Sequence, residues 1–541
     1  MVSHVLEYKL PAALPSRQRA VPATGFNVFG ESLGESVTIP ASEGALAGTY
    51  TYSSTYSPTI GLPKTVVDPA AGNLSQETQT IGYSVSSGID LPNTFSLGLN
   101  QLVHNVTYTA YGQVGLQQLG SASYYANVTN TFDPHTGALT DTQVKNPAVS
   151  ATPLDDTSYT YDAAGNPVSQ GVNRQGTASE TQCYQYDPLN RLTAAWTATD
   201  ACAADPATNA GSTVGDGIAG GAYWTSWMHD AIGQRQSETA HGLSGAQDTT
   251  TTYTYGGTAT GCTTAGGAHT LASTSTTGGS TGTATYCYDK NGNTTQRNTP
   301  AQGQQSLTWS DTGQLTAVTT ASAGSSYIYG PDGALLLQKN PGTTTLYLPG
   351  QQLALNTSTQ ALTATRFYAL PGGGQAVRTG TGSAYNFEIT DQHNTSTLTL
   401  SNTLTNPTWR QQTPYGAPRG TAPTSWPDNH GFLNKPQDAS TGLTAVGARW
   451  YDPAVGRFTS LDPAFEATDP QQQNGYTYAG ANPVTASDPT GLTRCDADPE
   501  LCGPGTGGTG GNGGTGGCDP QCVAAQLAAA AKAVEEVSIH L

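Results

Sequence analysis

The clearest copy of a recurring unit in this chain is Tyr159-Thr-Tyr-Asp-Ala-Ala-Gly-Asn166. Side chains alternate between the two faces of a strand, so its two tyrosines lie on the same face. The aspartate side chain can accept hydrogen bonds from backbone amides of a turn, and glycine readily adopts a left-handed conformation. The unit therefore predicts a β-hairpin with an aromatic face.

Further copies of the unit follow at irregular intervals and begin at Cys183, Trp227, Tyr286, Leu307 and Tyr327. A single hairpin is marginally stable in water, whereas stacked hairpins that share one aromatic face stabilise each other. The irregular intervals disfavour a propeller, whose blades are nearly equal repeats. We therefore predict an all-β fold in which an irregular array of hairpins winds into one continuous curved sheet, a partial shell.

The charge composition limits the classes of partner. The chain has 20 basic and 38 acidic residues, so its net charge of −18 disfavours contacts with nucleic-acid phosphates. No apolar run is long enough to span a bilayer, and residues 1–11 lack the apolar region of a signal peptide. Two interpretations stay open: a C-terminal piece of a longer exported protein, or export without such a signal.

Four cysteines lie in the repeats, as the local pairs Cys183/Cys202 and Cys262/Cys287. Either each pair forms a disulfide in an oxidising compartment, or all four are free thiols in a reduced protein. The four tail cysteines have no paired histidine or second Cys-x-x-Cys beside them, which disfavours zinc. The histidines show no ligand spacing and no phosphate-loop motif is present, so we expect no metal and no cofactor. The tail cysteines are Cys495, Cys502, Cys518 and Cys522.

The densest group of motifs lies between Thr441 and Leu492. It contains Tyr451-Asp-Pro-Ala-Val-Gly-Arg-Phe-Thr-Ser-Leu-Asp-Pro463 and closes with Asp488-Pro-Thr-Gly-Leu492. With the hairpin units before it, this segment resembles the RHS/YD-repeat family, and Thr441–Leu492 resembles that family's RHS repeat-associated core domain. Matching motifs also occur at Asp391–Ser396, Thr413–Gly420, Gly431–Pro436 and Gly447–Pro453.

The repeats and the resemblance together predict five regions. They are an irregular N-terminal segment (1–45), divergent hairpin repeats (46–156), YD/RHS repeats (157–400), the RHS-associated core domain (401–492) and a tail (493–541). The tail combines a Gly-rich linker with a short Ala-rich helix at about Pro520 to Ile539.

The resemblance implies a hollow β-shell with the core domain as a plug at one end. In polymorphic toxins, insecticidal toxin complexes and the related teneurin shell, the region after the core is variable, and in bacteria it is usually a toxin. The implied partners are the chain's own C-terminal cargo or a toxin/immunity pair, a secretion machinery and cell-surface glycans. The implied location is secreted or surface-associated. The tail of this chain is too short for most toxin enzymes, so we expect a truncated cargo.

The resemblance also implies self-cleavage by an aspartic-type autopeptidase. The bond to be cut would be Leu492–Thr493, and Asp488 and Asp462 match the family's aspartates. Two close carboxylates would share one proton; the ionised one would activate a water and the protonated one would assist the carbonyl. Arg457 would orient or tune the pair. Compared with the family, the loop between the aspartates is longer by an insertion at Ala464–Gln472.

A structural role for the same residues is the alternative. The chain has ten Asp-Pro dipeptides, so Asp-Pro is also an ordinary turn starter here. We expect structural roles within the motifs for Tyr451, Asp452, Gly456, Pro489 and Gly491. Cleavage and a purely structural core both remain open at this stage.

Three functions are compatible with these patterns. The first is the shell of a bacterial polymorphic toxin system that encloses its C-terminal cargo and releases it by self-cleavage. The second is a wall-associated or carbohydrate-binding YD-repeat adhesin without enzymatic activity. The third is a silent gene fragment that folds only in part.

Overall fold

The computed structural model describes residues 25–59, 61–84, 90–208, 213–218, 221–380, 384–464, 471–492 and 494. These residues form strands joined by short turns, with three short 3-10 helices at Ala41–Leu46, Phe432–Asn434 and Tyr478–Ala481. The prediction of an all-β fold is confirmed. The predicted tail helix and the tail cysteines lie outside the described residues.

Thirty of the strands form one antiparallel sheet, in which each strand pairs with the next along the chain. Among the described residues the two end strands, β1 and β30, each pair with one neighbour, so the sheet is not closed into a barrel. This meander is the continuous sheet that the irregular hairpin repeats predict.

The first half of the sheet is made of β1 Gly34–Ile39, β2 Gly48–Tyr56, β3 Pro63–Asp68, β4 Glu77–Ser84, β5 Leu91–Leu97, β6 Asn100–Tyr108, β7 Val114–Ser121, β8 Tyr124–Phe132, β9 Leu139–Lys145, β10 Asp155–Tyr161, β11 Pro167–Arg174, β12 Ala178–Tyr186, β13 Leu192–Ala198, β14 Trp224–His229 and β15 Arg235–Ala240. The second half is made of β16 Thr249–Gly257, β17 Gly266–Gly278, β18 Gly282–Tyr288, β19 Thr294–Thr299, β20 Gly303–Trp309, β21 Leu315–Thr319, β22 Gly324–Tyr329, β23 Leu335–Asn340, β24 Thr343–Leu348, β25 Gln351–Asn356, β26 Leu362–Ala369, β27 Gln375–Thr379, β28 Asn386–Thr390, β29 Ser396–Ser401 and β30 Thr408–Trp409.

The turn after β10 shows how the repeated unit works. The carboxylate of Asp162 accepts hydrogen bonds from the amides of Ala164 and Asn166 at 2.8 and 2.9 Å. Gly165 has a φ of +86°, in the left-handed region that glycine tolerates best. Asn190 fills the corresponding position of the next copy with a φ of +59°. Aspartate and the residue with positive φ therefore close these turns together.

The sheet curves back on itself, so that its early strands pack against its late ones. Arg366 on β26 is fully buried, and its guanidinium donates to the Pro69 carbonyl at 2.7 Å and contacts the Glu77 carboxylate at 2.9 Å. Gln117 on β7 donates to the Pro371 carbonyl at 2.7 Å. Buried aliphatic and aromatic side chains fill the space between the two layers. These contacts between early and late strands stabilise the curved shape of the sheet.

Both body cysteine pairs form disulfides, which excludes the free-thiol interpretation for these four residues. The Cα atoms of Cys183 and Cys202 are 5.7 Å apart, and those of Cys262 and Cys287 are 5.4 Å apart. Each bond ties a long insertion between strands to a strand of the sheet, because Cys183 lies on β12 and Cys287 on β18. Each insertion is thereby fixed to the repeat beside it.

The segment after β30, residues 411–492, is called the core segment below. It forms a two-strand ladder, β31 Gln411–Gln412 and β32 Pro418–Arg419. It also forms a four-stranded sheet of β33 Gln437–Asp438, β34 Leu443–Val446, β35 Arg449–Asp452 and β36 Arg457–Phe458.

The core segment packs on the aromatic face of the large sheet. The indole of Trp450 donates to the Tyr329 hydroxyl at 2.8 Å, and the Asn482 amide donates to the Asn166 side chain at 3.0 Å. Three hydrophobic clusters combine tyrosines and leucines of the repeats with side chains of the core segment. The repeats thus use their aromatic face to hold the last part of the chain.

Candidate functional site

Arg449 joins the two aspartates that the sequence singled out. Its Nη2 atom lies 2.7 Å from a carboxylate oxygen of Asp462 and 3.0 Å from one of Asp488. Each side chain is at least 88% buried, since the most exposed of the three is Asp462 at 12%. The structure therefore places Asp462 and Asp488 on the same arginine, which the sequence analysis did not select.

Asp488 also holds the backbone at the expected cleavage point. Its Oδ1 atom accepts a hydrogen bond from the Leu492 amide at 3.1 Å and one from the Thr490 hydroxyl at 3.3 Å. Gly491 lies in this turn with a φ of +67°, where an added Cβ would meet the Val446 carbonyl oxygen at 2.3 Å. Only glycine fits this backbone without strain, so the motif residue Gly491 has a structural reason.

The backbone around Arg449 fixes its guanidinium. Nη1 donates to the Gly475 carbonyl at 2.8 Å and Nε donates to the Gly491 carbonyl. The guanidinium carbon lies 3.6 Å from the centroid of the Phe458 ring, in cation–π contact. With its planar fork used on both sides, Arg449 sets the positions of both carboxylates.

Burial and charge oppose each other at this site. Burial raises the pKa of Asp488, while the positive charge of Arg449 lowers it in part. Burial likewise lowers the pKa of Arg449, and the charges of Asp488 and Asp462 oppose that shift. Burial also lowers the pKa of Lys435, which the charge of Asp488 opposes. The protonated form of Asp488 is therefore more accessible near neutral pH than that of an ordinary aspartate.

Asp462 is held at the start of the longer loop. Its amide donates to the Gly475 carbonyl at 3.0 Å, and its Oδ1 atom accepts the Ala464 amide at 2.9 Å. The loop therefore begins and returns beside the site. Most of the insertion predicted at Ala464–Gln472 lies outside the described residues, as does Thr493.

Arg457 lies elsewhere in the fold. Its Nη2 atom donates to the His269 carbonyl at 2.7 Å, and its guanidinium lies over the rings of Tyr255 and Tyr476 at 5.1 and 5.3 Å. These contacts tie β36 to the large sheet. Among the described residues, Arg449 and not Arg457 contacts the two carboxylates.

Three other motif residues hold the core segment in place. The buried Tyr451 donates its hydroxyl hydrogen to the Tyr415 carbonyl at 2.8 Å, and Asp452 pairs with Arg297 of the large sheet at 2.6 Å. Gly456 has a φ of +65°, and an added Cβ would meet the Tyr415 ring at 2.8 Å. The two remaining motif residues, Pro489 and Leu492, are half-buried and flank the turn that Asp488 closes.

The arrangement differs from a dyad of two carboxylates in direct contact that share a proton. Here a guanidinium lies between the carboxylates and offsets one of their two negative charges. One carboxyl still has a raised pKa, and the other is ion-paired at the entrance of a loop. Such a set can supply a proton donor, a proton acceptor and a fixed positive charge next to a single peptide bond.

The match to a protein-family model covers the second half of the repeats and most of the core segment. Residues 276–484 match the family model described as the teneurin YD-shell. This chain carries an RHS/YD-repeat shell. The resemblance stated from the YD units and the core motifs is thereby confirmed.

Relatives of the RHS/YD shell include nucleases of Bacillus. The chain is 32% identical over 213 residues to the tRNA3(Ser)-specific nuclease WapA of Bacillus spizizenii, and 31% identical over 212 residues to the tRNA nuclease WapA of Bacillus subtilis. Each match covers 38% of this chain and 9% of the relative. The chain thus aligns with a small part of these proteins.

Solved structures show the same shell fold. The crystal structure of TcdB2-TccC3 superposes with a TM-score of 0.63 at 19% identity, covering 88% of this chain and 24% of the other. The Tc holotoxin pore of Photorhabdus luminescens, with a D651A change in TccC3, gives a TM-score of 0.62 at 20% identity and covers 88% of this chain and 23% of the other. The described residues contain no helix long and apolar enough to cross a membrane.

Proposed function

We propose that this RHS/YD shell belongs to a bacterial toxin system, encloses the chain that follows its core segment, and cuts itself once after Leu492. The observation that supports the cut is the contact of one buried carboxyl, Asp488, with both the Leu492 amide and Arg449. A purely structural turn aspartate needs neither a second aspartate nor a buried arginine.

The proposed reaction is hydrolysis of the Leu492–Thr493 bond. Asp462 removes a proton from a water whose oxygen forms a bond to the Leu492 carbonyl carbon. Asp488, whose pKa is raised by burial, donates its proton to the Thr493 nitrogen as the carbon–nitrogen bond breaks. Arg449 holds both side chains in position and stabilises negative charge that develops between them. The products are a chain ending at Leu492 and a new amine at Thr493.

Location and cargo are part of the same proposal. Two disulfides in the repeats support an oxidising compartment, and therefore secretion or display at the cell surface. The residues that follow Leu492 belong to the cargo region in this proposal. The partners proposed are this cargo region or a toxin/immunity pair together with a secretion machinery.

The adhesin alternative has less support from the repeats. Sugar binding by stacking needs exposed aromatic faces, whereas the repeat tyrosines Tyr159, Tyr184 and Tyr286 are each at most 8% exposed. Their rings belong to the interior of the shell. Binding of the uncut protein to a glycan array would favour the adhesin alternative over the proposal.

Intact mass spectrometry of the purified chain tests the cut. We expect the wild type to yield a fragment ending at Leu492, and Asp488→Asn and Asp462→Asn to stay whole. Asp133→Asn is the matched control, because it changes an Asp-Pro turn between β8 and β9 that contributes no residue to the site. An uncut wild type with a folded β spectrum would overturn the peptidase assignment.

The pH dependence of the cut follows from the direction of the Asp488 shift. A raised pKa means that the fraction of protonated Asp488 grows as the pH falls from 8 towards 5. The single-turnover rate should therefore rise over this interval. A rate that increases with pH would exclude Asp488 as the proton donor.

A further inference from the structure

Ser226, His241 and Asp248 meet on the face of the large sheet that is turned away from the core segment. The Ser226 hydroxyl lies 2.8 Å from the Nε2 atom of His241. The Nδ1 atom of the same imidazole lies 3.0 Å from the Oδ2 atom of Asp248. A nucleophile, a base and a carboxylate that orients the base are thus connected in order.

The strand pairing explains why these residues meet. Ser226 lies on β14 and pairs with Thr239 on β15, and His241 follows the end of β15 directly. The His241 amide donates to the Trp224 carbonyl at 2.8 Å, which continues the β14–β15 ladder by one residue. Asp248 is the last residue before β16, so the short loop 242–247 returns it to the imidazole.

The imidazole is held in one orientation. Asp248 accepts the Gly242 amide on Oδ1 at 2.8 Å and contacts His241 through Oδ2. The Gly242 amide is the main cause that lowers the pKa of Asp248, so this aspartate is ionised at neutral pH. The Trp224 ring stacks on the imidazole with centroids 3.6 Å apart and planes 17° apart. An ionised carboxylate on Nδ1 favours the tautomer whose Nε2 accepts the serine proton.

The face that carries these residues is separate from the core segment. Trp227, the next residue on β14, points the other way and packs against Tyr415 of the core segment. Met228 lies on the same face as Ser226 and is 64% exposed. Across the ladder from Ser226 stands the small Ala194 of β13. A small acyl group can therefore approach the Ser226 hydroxyl from solvent.

We propose that Ser226, His241 and Asp248 form a hydrolytic triad that accepts acyl esters from solvent. Ser226 Oγ forms a bond to the ester carbonyl carbon while His241 Nε2 takes the hydroxyl proton. His241 returns that proton to the leaving alkoxide as the ester bond breaks, which gives an alcohol and acyl-Ser226. A water then repeats both steps and releases the carboxylic acid. Ser226 and His241 are the catalytic residues, and Asp248 is a positioning residue.

The surroundings of Ser226 set an upper limit on the rate. The strand to which Ser226 belongs is paired on both sides, so its backbone amides are engaged in the ladders. The Thr239 hydroxyl, directly across from Ser226, already shares a hydrogen bond with the Thr250 hydroxyl at 3.1 Å. Each missing oxyanion donor costs about 100- to 1,000-fold in rate. Activated esters are therefore the substrates for which turnover is expected.

A fluorophosphonate probe and p-nitrophenyl acetate test the triad on the full chain. The probe forms one bond from phosphorus to Ser226 Oγ and loses fluoride, so intact mass and peptide mapping report a single adduct. We expect Ser226→Ala to abolish the adduct and the ester hydrolysis, and His241→Gln to slow labelling about 100-fold. Ser36→Ala is the matched control, because Ser36 is a half-buried strand serine, like Ser226, whose hydroxyl contacts that of Thr51.

Asp248→Asn separates positioning from folding. The Asp248 side chain is 52% exposed, so this change leaves the fold intact while removing the charge that fixes the imidazole tautomer. We expect slower labelling and an altered pH profile with an unchanged melting temperature. A folded chain without an adduct at Ser226, or equal labelling rates in wild type and His241→Gln, would overturn the triad. Ser226 is not part of the proposed cleavage site. A chain that does not cut itself can therefore still be labelled at Ser226, and the two proposals can fail independently.

Discussion

Replacing Arg449 by methionine should destabilise the shell strongly and in a pH-dependent manner. Arg449 contacts Asp462 at 2.7 Å and Asp488 at 3.0 Å, and its own side chain is 3% exposed. Methionine has a similar length and no charge, so the change leaves two buried carboxylates without their cation. Loss of one partner from a buried ion pair costs about 3–5 kcal/mol in the free energy of unfolding. Lost hydrogen bonds to two carbonyls act in the same direction.

The pH dependence has a definite sign. Without the arginine, the folded-state pKa of Asp488 rises further, because burial already raises it and the opposing charge is gone. An acid whose folded pKa lies above its unfolded pKa binds its proton more tightly in the folded state. Protonation of Asp488 therefore reduces the loss of stability of the variant at low pH. The free energy of unfolding falls as the pH rises through the folded-state pKa of Asp488. Arg449→Met should thus lose less stability at pH 5 than at pH 8.

Urea denaturation at both pH values measures this effect. Arg449→Lys keeps one charge and loses the planar fork, so an intermediate loss is expected. Adding Asp462→Asn and Asp488→Asn to Arg449→Met removes the unpaired charges and should recover most of the stability. An Arg449→Met variant within about 1 kcal/mol of wild type at both pH values would refute the reasoning, since a surface ion pair is worth no more than that.

Three further perturbations follow from the fold. Reducing the Cys183–Cys202 disulfide, whose cysteines are 19 residues apart, should lower the free energy of unfolding by about 3 kcal/mol. Denaturation with reductant compared with denaturation without it measures this loss, and in a Cys183→Ser/Cys202→Ser variant the reductant should cause no further loss from that bond. Gly491→Ala should cost more than about 2 kcal/mol in urea denaturation and abolish the cut, because its φ is +67° and its Cβ would touch a carbonyl of the core segment; wild-type cleavage by this variant would contradict the assigned turn. Asp289→Ala should cost about 1–2 kcal/mol through two lost amide contacts, whereas equal melting temperatures would show that glycine alone closes such turns.

The repeat architecture could be predicted because neighbouring residues in the sequence determine each strand and turn. In the unit at 159–166, alternate tyrosines, an aspartate and a glycine specify a strand, a turn and a returning strand without distant residues. The structure shows the same amide contacts at Asp162, Asp187 and Asp230. What the unit cannot specify is how far the sheet curves. Contacts such as Arg366 with Glu77 join residues 289 apart and depend on the packing of whole layers.

The candidate sites were predicted in part. The family motifs located Asp462 and Asp488, but their distance along the chain says nothing about which cation lies between them. Arg449 is part of Gly447-Ala-Arg-Trp-Tyr-Asp-Pro453, a motif recognised from the sequence, and only the fold distinguishes it from Arg457 eight residues later. Ser226 and His241 showed no motif, because an antiparallel ladder and not a linear spacing brings them together.

The contacts of the core segment indicate what the proposed cut would release. Asp452 is ion-paired with Arg297 of the large sheet at 2.6 Å, and Asn482 is bonded to Asn166 at 3.0 Å. These bonds lie before Leu492 and stay intact when the next peptide bond breaks. Beyond Leu492, the described contacts include those of Arg494 with two glutamines of the loop that follows Asp462. The proposed hydrolysis would therefore leave the core segment bound to the large sheet, and the chain from Thr493 onward would lose its covalent attachment. If the plug stays in place after the proposed cut, a cargo would have to leave by another opening. Among the described residues, β1 and β30 each pair on one side only and mark where the sheet is open.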